Sequence, residues 1–332
     1  MSIQVNVNKA TSELARTIRK QLVPMLVGSP GEGKSAIGNA IAAMYNLKVI
    51  DVRLSQADPA DLMGYPRIDD KTGKASYAPM DTFPLEGDVI PEGYAGWLLF
   101  FDEFNSAPRS VQAASYKVVL DKMVGQRKLH PNVAIMCAGN LETDNAIVEP
   151  MSTALQSRLV HFELAQDSDA WLEWAGSNGI DHRITSFIRY KPGNLYAFDP
   201  NHSDKTYGCP RTWEFASRFT VGEEINNELL PCLAGTISEG LAREFIGFCG
   251  IYKDLPTMAD IIKDPSGLKM PDEPSVLFAL SGAIAHNATE GNIEKLVTFI
   301  RRMPVEFQVI TLRETIRRNK TLVQSPAIQT WI

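Results

Sequence analysis

The segment Gly28-Ser29-Pro30-Gly31-Glu32-Gly33-Lys34-Ser35 restricts this chain more than any other, because it fits the pattern G-x-x-x-x-G-K-[ST]. A loop of this kind works only between a buried strand and the start of a helix, so it specifies its own flanks. Its glycines let main-chain N–H groups turn inward around phosphate oxygens without a Cβ clash. The helix that follows adds the positive end of its dipole. In that setting Gly28, Ser29, Pro30, Gly31, Glu32 and Gly33 form a cradle, Lys34 is expected to neutralise the β- and γ-phosphates of a nucleotide, and the Ser35 hydroxyl to bind Mg2+. With glycine at about 7% of ordinary sequences, a chance match is on the order of one per cent. The flanks agree: 23–27 is a short apolar run, and Ala36, Ile37, Ala40, Ile41 and Met44 recur at helical spacing.

Two further runs point to the same chemistry. Leu98-Leu99-Phe100-Phe101 ends in Asp102-Glu103. A strand ending in two carboxylates suits a magnesium ion and a water. Asp102 is expected to hold the metal through its water shell, and Glu103 to take a proton from the attacking water. Asn140 directly follows the apolar run that ends Cys137-Ala138-Gly139, where a neutral amide can hydrogen-bond both the γ-phosphate and the water.

Hydrophobic patterning gives the frame around these motifs. Strands are expected at 23–27, 48–54, 97–101, 133–138 and 159–164, and helices at 9–21, 109–122 and 150–158. A stretch rich in Gly, Pro and Asp fills 64–96, and a loop that long is usually functional. About five continuous apolar runs separated by helices read as a parallel α/β sheet covered on both faces. Beyond about 167 apolar residues recur at three or four, with connectors at 191–210 and 254–276. An α/β nucleotide-binding domain is therefore expected over 1–165 and an all-helical domain over 166–332.

Composition narrows the class. The chain has 33 basic and 39 acidic side chains and a net charge of −6, which disfavours a phosphate-coating protein. Its 4 cysteines are scattered and read as reduced, buried thiols of a cytoplasmic protein. The run 97–101 is far short of the roughly 20 residues that span a bilayer. Arg16, Arg19 and Lys20 before 22–27 lack the cleavage pattern of an export signal. His130, His161, His182, His202 and His286 show no paired ligand spacing. Trp171, Trp174 and Trp213 read as core of the helical domain, and Arg313, Arg317, Arg318 and Lys320 as a solvated basic face.

Asp102-Glu103-Phe104-Asn105-Ser106-Ala107-Pro108, followed by Val111-Gln112-Ala113-Ala114, resembles the signature of MoxR-type AAA+ ATPases. Asp61-Leu62-Met63-Gly64, Ala138-Gly139-Asn140 and Ala154-Leu155-Gln156-Ser157-Arg158-Leu159 resemble further motifs of that family. So do Trp171-Leu172-Glu173-Trp174-Ala175, Phe198-Asp199-Pro200 and Cys209-Pro210-Arg211-Thr212-Trp213 in the helical half. The likeness covers about 22–220. Two departures touch partner contacts: many relatives carry Arg where Ser106 stands, with an arginine here only at Arg109, and no long basic stretch follows the second strand.

The resemblance implies a P-loop core with a five-stranded parallel sheet, a helical lid, and a homo-oligomeric ring, usually a hexamer, with ATP between subunits. By position Lys34 and Ser35 match Walker A, Asp102 and Glu103 match Walker B, and Asn140 matches sensor 1. Arg158 matches the arginine finger given to a neighbour's nucleotide, and Arg211 matches sensor 2. Hairpins at Arg67–Pro79 and Gly125–Pro131 are expected to meet a substrate or partner. A von Willebrand factor A-domain protein is the expected partner, and a protein client the expected target. The alternatives are a nucleic-acid-associated AAA+ motor or loader, and a small-molecule P-loop kinase or GTPase. The acidic charge argues against the first, and the lack of an N-K-x-D motif argues against a GTPase.

Overall fold

The computed structural model describes residues 4–144, 148–199 and 204–331, so His202 and Pro200 lie outside the described residues. The chain divides into two compact units, Met1–Gln166 and Asp167–Ile332.

The first unit runs β1 (Gln4–Val5), α1 (Val7–Arg19), β2 (Val23–Val27), α2 (Lys34–Met44), β3 (Leu47–Arg53), α3 (Pro59–Met63), β4 (Tyr65–Ile68), β5 (Ala75–Ala78), β6 (Gly96–Asp102), α4 (Arg109–Asp121), β7 (Met123–Val124), β8 (Arg127–Lys128), β9 (Val133–Gly139), α5 (Thr153–Gln156) and β10 (Leu159–Leu164). Its main sheet has six strands in the order β1-β10-β2-β9-β6-β3, and every neighbouring pair is parallel. Helices cover both faces, which explains the continuous apolar runs. Leu99, Phe101, Ile135 and Cys137 pack with Val111 and Val118 of α4. The alternate residues Leu98, Phe100, Met136 and Ala138 pack with Leu14, Ile37 and Ile41 of α1 and α2. Two facing sets from single strands are the period-two consequence of the pleat.

The parallel sheet flanked by helices, followed by a helical region, agrees with the expected fold class. Three details differ. The sheet has six strands rather than five, because β1 adds to its edge through Gln4↔Glu163 and Val5↔Leu164. The helix expected over 150–158 closes only at Thr153–Gln156, capped by the Ser152 side chain. The stretch 64–96 holds the antiparallel pair β4 and β5, whose residues are all exposed, before Phe83 and Leu85 return to the core. A second antiparallel pair, β7 with β8, lies just before β9.

The second unit is built from helices α6 (Ser168–Ser177), α7 (His182–Tyr190), α8 (Pro210–Thr220), α9 (Leu230–Ile237), α10 (Glu239–Gly250), α11 (Met258–Lys263), α12 (Pro274–Asn287), α13 (Ile293–Ile300), α14 (Val305–Arg318) and α15 (Pro326–Gln329). Phe187, Trp213, Phe245 and Phe248 centre one core; Leu280, Phe299 and Phe307 centre another. Trp171 and Trp213 are buried, as expected, whereas Trp174 is 41% exposed and so is not core. The basic face is also corrected. Arg317 meets Glu173, and Arg318 is largely buried against Glu314; only Arg313 and Lys320 are exposed. Cys137, Cys209 and Cys249 are buried, but Cys232 is exposed. No described helix is long and apolar enough to cross a membrane.

Candidate nucleotide site

Sheet order decides which side chains meet. In open α/β sheets the crevice beyond the carboxyl ends of the strands is where ligands bind. Here β2, β9 and β6 are neighbours, with Val27 opposite Gly139 and Phe101 opposite Cys137. The glycine loop, Asn140 and Asp102-Glu103 therefore leave the sheet side by side.

The loop is shaped by its backbone. Gly31 and Gly33 have φ of 84° and 90°, in the left-handed region that side-chain-bearing residues avoid. Gly33 caps α2, so Lys34 and Ser35 open the helix. Lys34 is buried, and its Nζ donates to the Gly28 carbonyl at 2.7 Å, the Ser29 carbonyl at 3.0 Å and Asn140 Oδ1 at 3.1 Å. One ammonium thus ties the loop to the end of β9. The Ser35 hydroxyl donates to Asp102 Oδ2 at 3.1 Å. Asp102 Oδ1 accepts the Glu103 N–H at 2.8 Å.

Glu103 itself sits at φ 53°, an uncommon conformation for a non-glycine residue that turns the chain sharply out of β6. Its carboxylate accepts a hydrogen bond from the Ser55 hydroxyl. Ser55 carried no motif in the sequence. Its one signal is its place two residues beyond β3, the neighbour of β6, whose last residue Arg53 pairs with Asp102.

Electrostatics add two perturbed carboxyls. The Glu32 side chain folds back and accepts the Ser29 N–H at 2.8 Å. Burial raises its carboxyl to about 7, the Asp144 carboxylate adds to the rise, and the Ser29 N–H and Lys34 oppose it. On β3, burial first and then the Asp102 carboxylate push Asp51 above its ordinary value.

Ser35 and Asp102 fit a magnesium ion. Both offer hard oxygens, the donor type magnesium takes, and they lie side by side, the Ser35 hydroxyl donating to Asp102 Oδ2 at 3.1 Å. Among the described residues no group of three or more His, Cys, Asp or Glu side chains could hold a metal.

The structure brings Lys34, Ser35, Asp102, Glu103 and Asn140 together in the first unit. Arg158 is exposed there, with Nη1 donating to the Ala154 carbonyl at 2.7 Å. Arg211 is exposed in the second unit, in the first turn of α8. Ser106 Oγ accepts from Asn140 Nδ2 at 3.4 Å, and Arg109 pairs with Glu149 at 3.1 Å.

Residues 24–159 match the family model of the AAA domain, dynein-related subfamily. The matched segment includes the glycine loop, Asp102, Glu103, Asn140 and Arg158, and it excludes Arg211. No curated protein sequence matches the chain. Among solved structures, NtrX from Brucella abortus is 16% identical with a TM-score of 0.40, over 76% of this chain and 62% of that one. A candidate ATPase from Cytophaga hutchinsonii is 14% identical with a TM-score of 0.39, over 99% and 88%. A point mutant of RuvB from Thermotoga maritima is 14% identical with a TM-score of 0.39, over 87% and 86%. Likeness at this level identifies neither a substrate nor a partner.

Proposed function

We propose that this chain is a magnesium-dependent ATPase that works as a ring of identical copies and remodels or matures partner proteins, as MoxR-type AAA+ ATPases do. The observation that carries the catalytic part is the convergence of Lys34, Ser35, Asp102, Glu103 and Asn140 on neighbouring strand ends. Magnesium held at Ser35 and Asp102 would neutralise charge on the β- and γ-phosphate oxygens. Lys34 exchanges its carbonyl partners for those oxygens when the triphosphate enters the loop. Glu103 takes a proton from the attacking water as that water bonds to the γ-phosphorus, and Asn140 orients the water and the phosphate through its amide.

Arg158 completes the pocket of the next copy in this reading. Its exposure supports that role, and a planar, permanently charged guanidinium suits phosphate oxygens. Arginine fingers are worth about 10³–10⁵ in turnover. The sensor 2 role of Arg211 rests on the family resemblance alone. The hexameric ring, the von Willebrand factor A-domain partner and the protein client rest on the family resemblance. The β4–β5 hairpin supports a protein contact, since it exposes Tyr65, Ile68 and Tyr77.

Glu103→Gln tests the catalytic part. The variant keeps the shape of the pocket and is expected to bind ATP as the wild type does while losing turnover. Undiminished phosphate release by this variant removes Glu103 from the mechanism.

A further inference from the structure

Asn105 has no part in the chemistry so far, yet its polar groups are engaged at the pocket. It lies in the short turn Phe104–Ser106 directly after Glu103 and is 5% exposed. Its Nδ2 donates to the Asn140 carbonyl at 2.7 Å, and its Oδ1 accepts the Asn140 N–H at 2.9 Å. Its own carbonyl accepts the Glu149 N–H at 2.7 Å.

Two bonds from one planar amide to the N–H and C=O of a single residue fix both where that residue sits and how it is rotated. One bond would leave a hinge. The clamped residue is Asn140, whose side chain reaches Lys34 Nζ and Ser106 Oγ. The fit is tight from the other side too: a Cβ on Gly139 would fall 2.3 Å from Asn105 Oδ1. Because a buried amide group left unpaired is destabilising, both bonds favour holding Asn105 in this place.

We propose that Asn105 is a positioning residue, whose amide clamp holds the Asn140 backbone so that the Asn140 side chain meets the γ-phosphate and the attacking water in one orientation. The role rests on the ATPase reading above. Asn105 touches no phosphate itself and acts only through Asn140. Sub-ångström placement matters here, since small misplacement of a group that orients reactants lowers rate far more than affinity.

Asn105→Asp is the direct test, because it keeps the acceptor for the Asn140 N–H, loses the donor, and turns a second oxygen toward the Asn140 carbonyl. Affinity for a fluorescent ATP analogue should stay within about threefold of wild type while kcat falls about tenfold or more at little-changed KM. The double variant with Asn140→Ala should be no slower than Asn140→Ala alone, since the two act as one unit. Losses that multiply, or an affinity that falls in step with kcat, overturn the proposal. A wild type with no hydrolysis overturns the ATPase reading itself, and the clamp's role with it. If Asn105→Asp does not fold, Gly139→Ala crowds the same amide, with the flexible end of Met25 as its other close neighbour, and should show the same split between kcat and affinity; unchanged kcat in that variant overturns the clamp.

Discussion

The Ser55 hydroxyl donates a hydrogen bond to the Glu103 carboxylate, joining the turn after β3 to the residue that follows β6. With Glu103 as the proposed base, the bond occupies a carboxylate oxygen that would otherwise be open to the attacking water. Ser55→Ala is therefore expected to raise basal ATP turnover a few-fold, read as phosphate release without any partner protein. A fall in turnover would show that the bond orients Glu103 for the reaction instead of holding it back.

Lys34 offers the most direct handle on binding. Its ammonium donates to the Gly28 and Ser29 carbonyls and to Asn140 Oδ1. In the proposed function the two carbonyl bonds pass to phosphate oxygens when ATP binds, and charge-assisted bonds of this kind are worth about 1.5–3 kcal/mol. Lys34→Ala should weaken ATP roughly 10–100-fold, measured by titrating a fluorescent analogue. Wild-type affinity in that variant would show that nucleotide binds elsewhere.

Glu32 makes stability depend on pH. Its carboxyl is raised from 4.5 to about 7, chiefly by burial, so the folded chain keeps a proton that the unfolded chain releases. The sign follows from linkage: its contribution is greatest below the unfolded value, declines as pH rises through the window up to about 7, and is flat above it. Glu32→Gln is neutral throughout and still accepts the Ser29 N–H. Its melting temperature should gain on the wild type between about pH 5 and about pH 8. Parallel melting curves over that range would show that Glu32 ionises as an ordinary surface carboxylate.

In the helical unit, Glu314 is the shared partner of two arginines. It meets Arg189 at 2.7 Å and Arg318 at 2.9 Å, and all three side chains are largely buried. Removing the one carboxylate leaves two buried guanidinium groups unpaired, which typically destabilises by about 3–5 kcal/mol. Glu314→Ala should lower the denaturant midpoint of the helical unit by a corresponding margin. A change within about 0.5 kcal/mol, the range of ordinary surface substitutions, would contradict the burial of this network.

Features carried by contiguous residues were legible in the sequence. The loop 28–35 and the runs ending at Asp102 and Gly139 each carry a local pattern, and parallel order follows from continuous apolar strands separated by helices. What stayed hidden depends on distant partners. β1 is two residues long and pairs with a strand 159 positions away, so it has no periodicity to detect. β4 and β5 are exposed throughout and show no alternation between faces. Arg318 looks like a surface cation until Glu314, Ile180 and Thr185 are seen around it. His182 and His286, with no ligand spacing between them, stack with ring centres 4.4 Å apart. Burial then holds His182 down to about 3, against the opposing pull of Asp181. Ser55 and Asn105 are ordinary turn residues whose roles exist only in three dimensions.

The measurement that bears most directly on a pocket divided between copies is ATP hydrolysis by mixed rings. Glu103→Gln and Arg158→Ala should each be nearly inactive alone. In a mixture, an Arg158→Ala copy with its Glu103 intact sits beside a Glu103→Gln copy with its Arg158 intact, so hydrolysis should return to a measurable fraction of the wild-type rate. Co-assembly of the two variants with no return of hydrolysis would contradict the shared pocket.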